Sequence, residues 1–184
     1  MTVIVYPLPN TDAGPDVSIC EGETVQIGTP NNSPVLFYWR PGTGLSDSSV
    51  AQPIVSGLSA GIFNYELTVT DVNGCENSDT MQLVVGHLPI ADAGPDKTIC
   101  AQSVAALGTP GQAGNFYQWY PASEVDDPNA QQPLTYPDSN TTYILIVTDS
   151  TLGCTSTDSV DITVVPLQNV DAGPDIMICA GDSG

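Results

Sequence analysis

The sequence Asp-Ala-Gly-Pro-Asp followed by x-x-Ile-Cys occurs three times, as Asp12–Cys20, Asp92–Cys100 and Asp171–Cys179. The first two copies begin 80 residues apart and the last two 79. A nine-residue signature recurring at a domain-sized period means a tandem array in which each repeat buries its own core. The register also assigns the ends. Shifted by 159 residues, Thr2–Leu8 falls on Asp161–Leu167, so residues 1–10 read as the last strand of a preceding repeat. Repeat one covers residues 11–89 and repeat two 90–169, and residues 170–184 open a third repeat that is incomplete. The chain therefore reads as a window on a longer protein.

Within a repeat, every strong periodic signal is β. Gly61–Thr70 alternates apolar and polar residues, and Tyr143–Asp149 answers Tyr65–Asp71 in repeat two. Leu36–Trp39 is a strand ended by Pro41-Gly42, and Asp71-Val72-Asn73-Gly74 is a hairpin turn. A last strand runs from Cys75 to Val85. Trp119 answers Trp39 at an offset of 80. The expected fold class is all-β: tandem Ig-like β-sandwich domains in an elongated array, with a tryptophan near the centre of each.

Charge narrows the function. There are 21 acidic residues against Arg40 and Lys97, for a net charge of −19. Such a surface repels nucleic acid and anionic membranes. No apolar stretch approaches membrane-spanning length, and no signal peptide follows Met1. Each full repeat carries nine scattered acids, which fits a solvated surface over a folded core.

The cysteines recur in register. Cys20 and Cys75 are 55 residues apart, and Cys100 and Cys154 are 54 apart. This spacing fits one bridge inside each repeat, Cys20–Cys75 and Cys100–Cys154, with Cys179 paired to a residue outside the chain. Bridges of this kind imply an oxidising, extracellular compartment.

The signature, the tryptophan strand and the closing Tyr65-x-Leu67-x-Val69-x-Asp71 with Asn73-Gly74-Cys75 resemble the immunoglobulin-like and PKD-like repeats of large Bacteroidota surface proteins. The resemblance covers both repeats and both ends. It implies a β-sandwich, export to the cell surface by the type 9 route, and a role as stalk, filament or adhesive segment. Its implied partners are neighbouring repeats, identical chains in a multi-chain filament, or another cell surface or glycan. The alternative is a carbohydrate-binding or spacer array attached to a secreted hydrolase.

Candidate sites are few. Asp12, Asp16, Asp92 and Asp96 lie where one repeat hands over to the next, and clustered oxygen ligands there could bind calcium. No other cofactor is expected. As turn formers in a Gly-Pro linker the same residues need no ion. Trp39 and Trp119 are expected in the core rather than stacked on sugars. Tyr120 and Tyr136 have no repeat-one counterparts and are candidates for a surface special to repeat two. Asp126-Asp127 reads as a solvated turn, and His87 lies in the linker, so no catalytic constellation is expected.

Overall fold

A computed structural model describes residues 1–31, 33, 35–168 and 173. The third signature copy and Cys179 lie outside the described residues. Two all-β modules follow one another on one plan. Module one contains β1 (Val17–Cys20), β2 (Val25–Gln26), β3 (Leu36–Arg40), β4 (Ile54–Val55), β5 (Gly61–Thr70) and β6 (Glu76–Gly86). Its main sheet runs β1-β6-β5-β3, and β2 and β4 form a small second sheet. Module two contains β7 (Lys97–Cys100), β8 (Ala105–Ala106), β9 (Asn115–Tyr120), β10 (Leu134–Thr135), β11 (Thr141–Asp149) and β12 (Thr155–Val165). Its sheets run β7-β12-β11-β9 and β10-β8.

Alternation decides what each strand buries. In β5, Tyr65, Leu67 and Val69 face inward between less buried neighbours, and Met81, Leu83 and Val85 of β6 join them. In module two Tyr143, Leu145 and Val147 meet Val160 and Ile162. Each fully buried aliphatic side chain contributes roughly 1.5–3 kcal/mol.

Trp39 and Trp119 are sealed in these cores, as expected for both. Their indole N–H groups donate to the carbonyls of Val50 and Ala130, at 3.0 and 3.1 Å. Gly28 and Gly108 make room for them. They hold φ of +80° and +74°, and a Cβ on either would lie 2.9 or 3.0 Å from the Trp Cζ2. Only glycine combines that backbone with that approach.

The signature residues form a seam along the edge of each main sheet. β1 pairs in parallel with β6, Val17 opposite Leu83 and Cys20 opposite Gly86. β7 pairs with β12 the same way, and Cys100 lies opposite Val165. Upstream of the pairing, carboxylates take over from carbonyls. The Asp16 carboxylate accepts from the Gln82 N–H at 2.7 Å, and the Asp79 carboxylate from the Ala13 N–H at 2.9 Å. Asp96 accepts from Asp161 N–H and Asp158 from Ala93 N–H at 2.9 and 2.8 Å. Ala13 and Ala93 are buried, and their carbonyls accept from Gly28 and Gly108 N–H.

Three expectations change here. Residues 1–10 form no strand; Val3, Ile4 and Val5 are exposed, because no sheet edge supplies the hydrogen bonds a strand needs. In the Asn73-Gly74 turn only Gly74 takes positive φ, at +79°, and the Asp71 carboxylate shapes the rest. A short 3₁₀ turn, Ala122–Glu124, has no signal in the sequence pattern.

Candidate functional site

The residues that make this array more than two beads on a string lie where the modules meet. β1 ends at Cys20, at the same end of the sheet as Gly86, where the chain leaves module one. Module two presents its β11–β12 turn, Ser150–Cys154, to that end. Cys20 and Cys154 form a disulfide with Cα atoms 5.6 Å apart. Cys75 and Cys100 are free, the first half-buried and the second exposed.

This corrects the expected pairing. Neither Cys20–Cys75 nor Cys100–Cys154 forms, and the strand register shows why. Cys20 lies opposite Gly86 at the end of β6, whereas Cys75 immediately precedes the start of β6. Eleven residues of extended strand hold them about 36 Å apart, far beyond the roughly 7 Å a disulfide spans. Cys100 and Cys154 are separated the same way by β12. The bridge that does form runs between modules.

The backbone around the bridge is built for close approach. A Cβ on Gly86 would lie 2.7 Å from Leu152 Cδ1 and 3.0 Å from the Cys154 sulfur, so glycine lets the neighbouring hairpin dock. Glu21, next to Cys20, fastens the linker. Its N–H donates to the Gly86 carbonyl at 3.0 Å. Its carboxylate accepts from the Ala60 N–H at 2.7 Å and meets His87 Nδ1 at 3.3 Å. The Ala60 hydrogen bond first, then His87, hold the Glu21 carboxyl below its usual range, with burial opposing them. In the linker Pro89 is buried, while Leu88 and Ile90 are exposed.

On the module-two side the docking turn is tied by Asp149. Its carboxylate accepts from the Thr151 hydroxyl and from the N–H groups of Thr151 and Leu152. The Thr151 hydroxyl bond, ahead of the Leu152 N–H, lowers the Asp149 pKa. Asp71 plays the same part in module one, where the Cys75 N–H is the largest cause of its lowered pKa.

The proposed calcium aspartates serve other tasks. Asp12 and Asp92 accept from Gly14 and Gly94 N–H at 2.9 Å, and Asp16 and Asp96 cap the seam described above. Among the described residues, no three His, Cys, Asp or Glu side chains gather as a metal site would require. Asp126 and Asp127 likewise bind backbone, Asp126 to Asp127 and Leu134 N–H and Asp127 to Asn129 N–H. Tyr120 and Tyr136 are exposed, the first at the end of β9 and the second in the loop after β10.

The signature, topology and buried tryptophans define the chain as a tandem of two PKD/Ig-like β-sandwich domains. No family model matches it. It is similar to the Dyslexia-associated protein KIAA0319 homolog of Rattus norvegicus, at 31% identity over 170 aligned residues covering 77% of this chain and 15% of that protein. The human Dyslexia-associated protein KIAA0319 is 30% identical over 174 residues, covering 80% of this chain and 16% of its own length. The chain thus spans about a sixth of these relatives. Among solved structures, Drosophila OTK extracellular domains 3–5 align with a TM-score of 0.46 at 13% identity, covering 82% of this chain and 59% of that one. The PKD domain from KIAA 1837 protein aligns with a TM-score of 0.40 at 18% identity, covering 50% of this chain and all of that one.

Proposed function

We propose that this chain is a load-bearing, non-catalytic segment of a long extracellular surface protein or filament. The observation that carries the reading is the Cys20–Cys154 bridge, which joins modules rather than locking one. Tension entering through the first signature reaches Cys20, crosses the bridge, and leaves through β12. Residues 21–153 lie off the covalent path, so the linker is spared the pull, which reaches the two sheets only through β1 and β12. Under the chain-entropy account, closing this 134-residue separation also stabilises the folded pair by about 5 kcal/mol.

A bridge of this kind belongs to an oxidising compartment. The origin on a Bacteroidota-type cell surface rests on the sequence signature, since the relatives named above are mammalian. Association into a multi-chain filament, adhesion to another cell or glycan, and divalent bridging of acidic surfaces are further parts of the proposal. The alternative role as a sugar-binding appendage draws no support from Trp39 and Trp119, which are buried.

Immunogold electron microscopy of intact producing cells, with antibody against one module, tests the reading. Gold along thin surface structures is expected. Antigen found free in the medium and attached to a hydrolase would overturn it.

A further inference from the structure

The bridged junction also assigns a partner to the two remaining described cysteines. Cys100 occupies the place of Cys20. Each ends the opening strand of its module and lies opposite the last residue of the closing strand. The residue after each, Ala101 or Glu21, donates its N–H to that last residue's carbonyl, at 2.8 and 3.0 Å. Cys75 occupies the place of Cys154. Each follows a glycine at φ near +79° or +76°, and each carbonyl accepts from the turn aspartate's N–H, at 3.0 and 2.8 Å.

We propose that Cys75 and Cys100 are two open halves of the same inter-module bridge. Cys100 bonds the second cysteine of a module of this type that follows along the chain. Cys75 bonds the first cysteine of one that precedes. The inference rests on the array reading above. Cys75 and Cys100 each lie at the end of their own module away from the Cys20–Cys154 junction, and both are free, so they are not partners for each other within the pair. The result is a ladder in which every junction is covalent and tension passes from bridge to bridge.

The chemistry is thiol–disulfide exchange with a small-molecule or protein disulfide as oxidant. The two cysteine thiols lose two protons and two electrons and form one S–S bond. The oxidant's S–S bond breaks and takes up both as two thiols.

One residue differs between the junctions. Val165 stands where Gly86 stands. A Cβ at Gly86 would crowd the docking hairpin, so closure at Cys100 should be slower than at Cys20.

The test is a chain of residues 1–169 followed by a second copy of residues 11–89, with Cys75→Ser in the first copy and Cys20→Ser in the second. It is oxidised in a glutathione buffer, and non-reduced peptides are mapped by mass spectrometry. The expected product is a monomer with Cys20–Cys154 intact and Cys100 bonded to the second-copy Cys75, so that Cys100 is lost to alkylation. Val165→Gly should speed that loss. Cys100 still alkylated in both forms, or bonded between molecules, while Cys20–Cys154 is intact would overturn the ladder and leave the array reading standing. Absence of Cys20–Cys154 as well would overturn both.

Discussion

At the outgoing end of module one, Cys20 is bridged, Gly22 makes the turn at φ +86°, and Gly86 lies opposite the cysteine. At the same end of module two, Cys100 is a free thiol, Gln102 makes the turn at φ +66°, and Val165 lies opposite. Elsewhere the modules agree closely. The seam of Asp12–Asp16 and Asp92–Asp96, the Trp–Gly packing and the sheet order repeat almost bond for bond. A module's core and its seam are thus fixed by the fold, while its end residues tune how tightly it couples to a neighbour.

The largest expected effect comes from removing the coupling itself. Cys20→Ser should cost about 3–5 kcal/mol and split one calorimetric transition into two, because the modules then unfold independently. Next, Gly28→Ala and Gly108→Ala should each cost about 2–4 kcal/mol in their own module, since a Cβ meets positive φ and an indole edge together. Equal losses by chemical denaturation would sharpen the claim that the two cores are equivalent. Unequal ones would break it.

Gly86→Val transplants the module-two end residue onto module one. It should slow formation of Cys20–Cys154 in refolding with glutathione and cost about 1–2 kcal/mol once formed. Gln102→Gly does the reverse for the turn and should stabilise module two by up to about 1 kcal/mol, read as a shift in its denaturation midpoint.

The smallest effect is a pH effect in the hairpins. The Asp71 and Asp149 carboxyls lie below their usual value when folded. Their contribution is therefore complete above the unfolded value of about 4 and is lost as pH falls through the lower folded value. The protection of the Cys75 and Leu152 amides, taken relative to their intrinsic exchange rates, should fall below about pH 4. Thr151→Val should blunt the response in module two alone, because there the hydroxyl is the leading partner.

Much of this was legible in the residues. The alternation of Gly61–Thr70 and Tyr143–Asp149 announces the central strands, and both tryptophans sit where apolar strands require a large buried ring. The site was not legible, because a cysteine spacing of 55 says nothing about strand direction. Parallel pairing of β1 with the end of β6 puts Cys20 and Cys75 at opposite ends of the module, and only the register reveals it. The repeated aspartates look like ligands in one dimension. The backbone donors to Asp16 and Asp96, Gln82 and Asp161 N–H, lie more than sixty residues away in sequence.

The most direct test is single-molecule force spectroscopy on the chain held by its two termini. Oxidised, it should show no release of residues 21–153, whose full extension would add roughly 45 nm. After reduction that length should appear, in two unfolding steps. Two full module steps from the oxidised chain would contradict the bypass of load through Cys20 and Cys154.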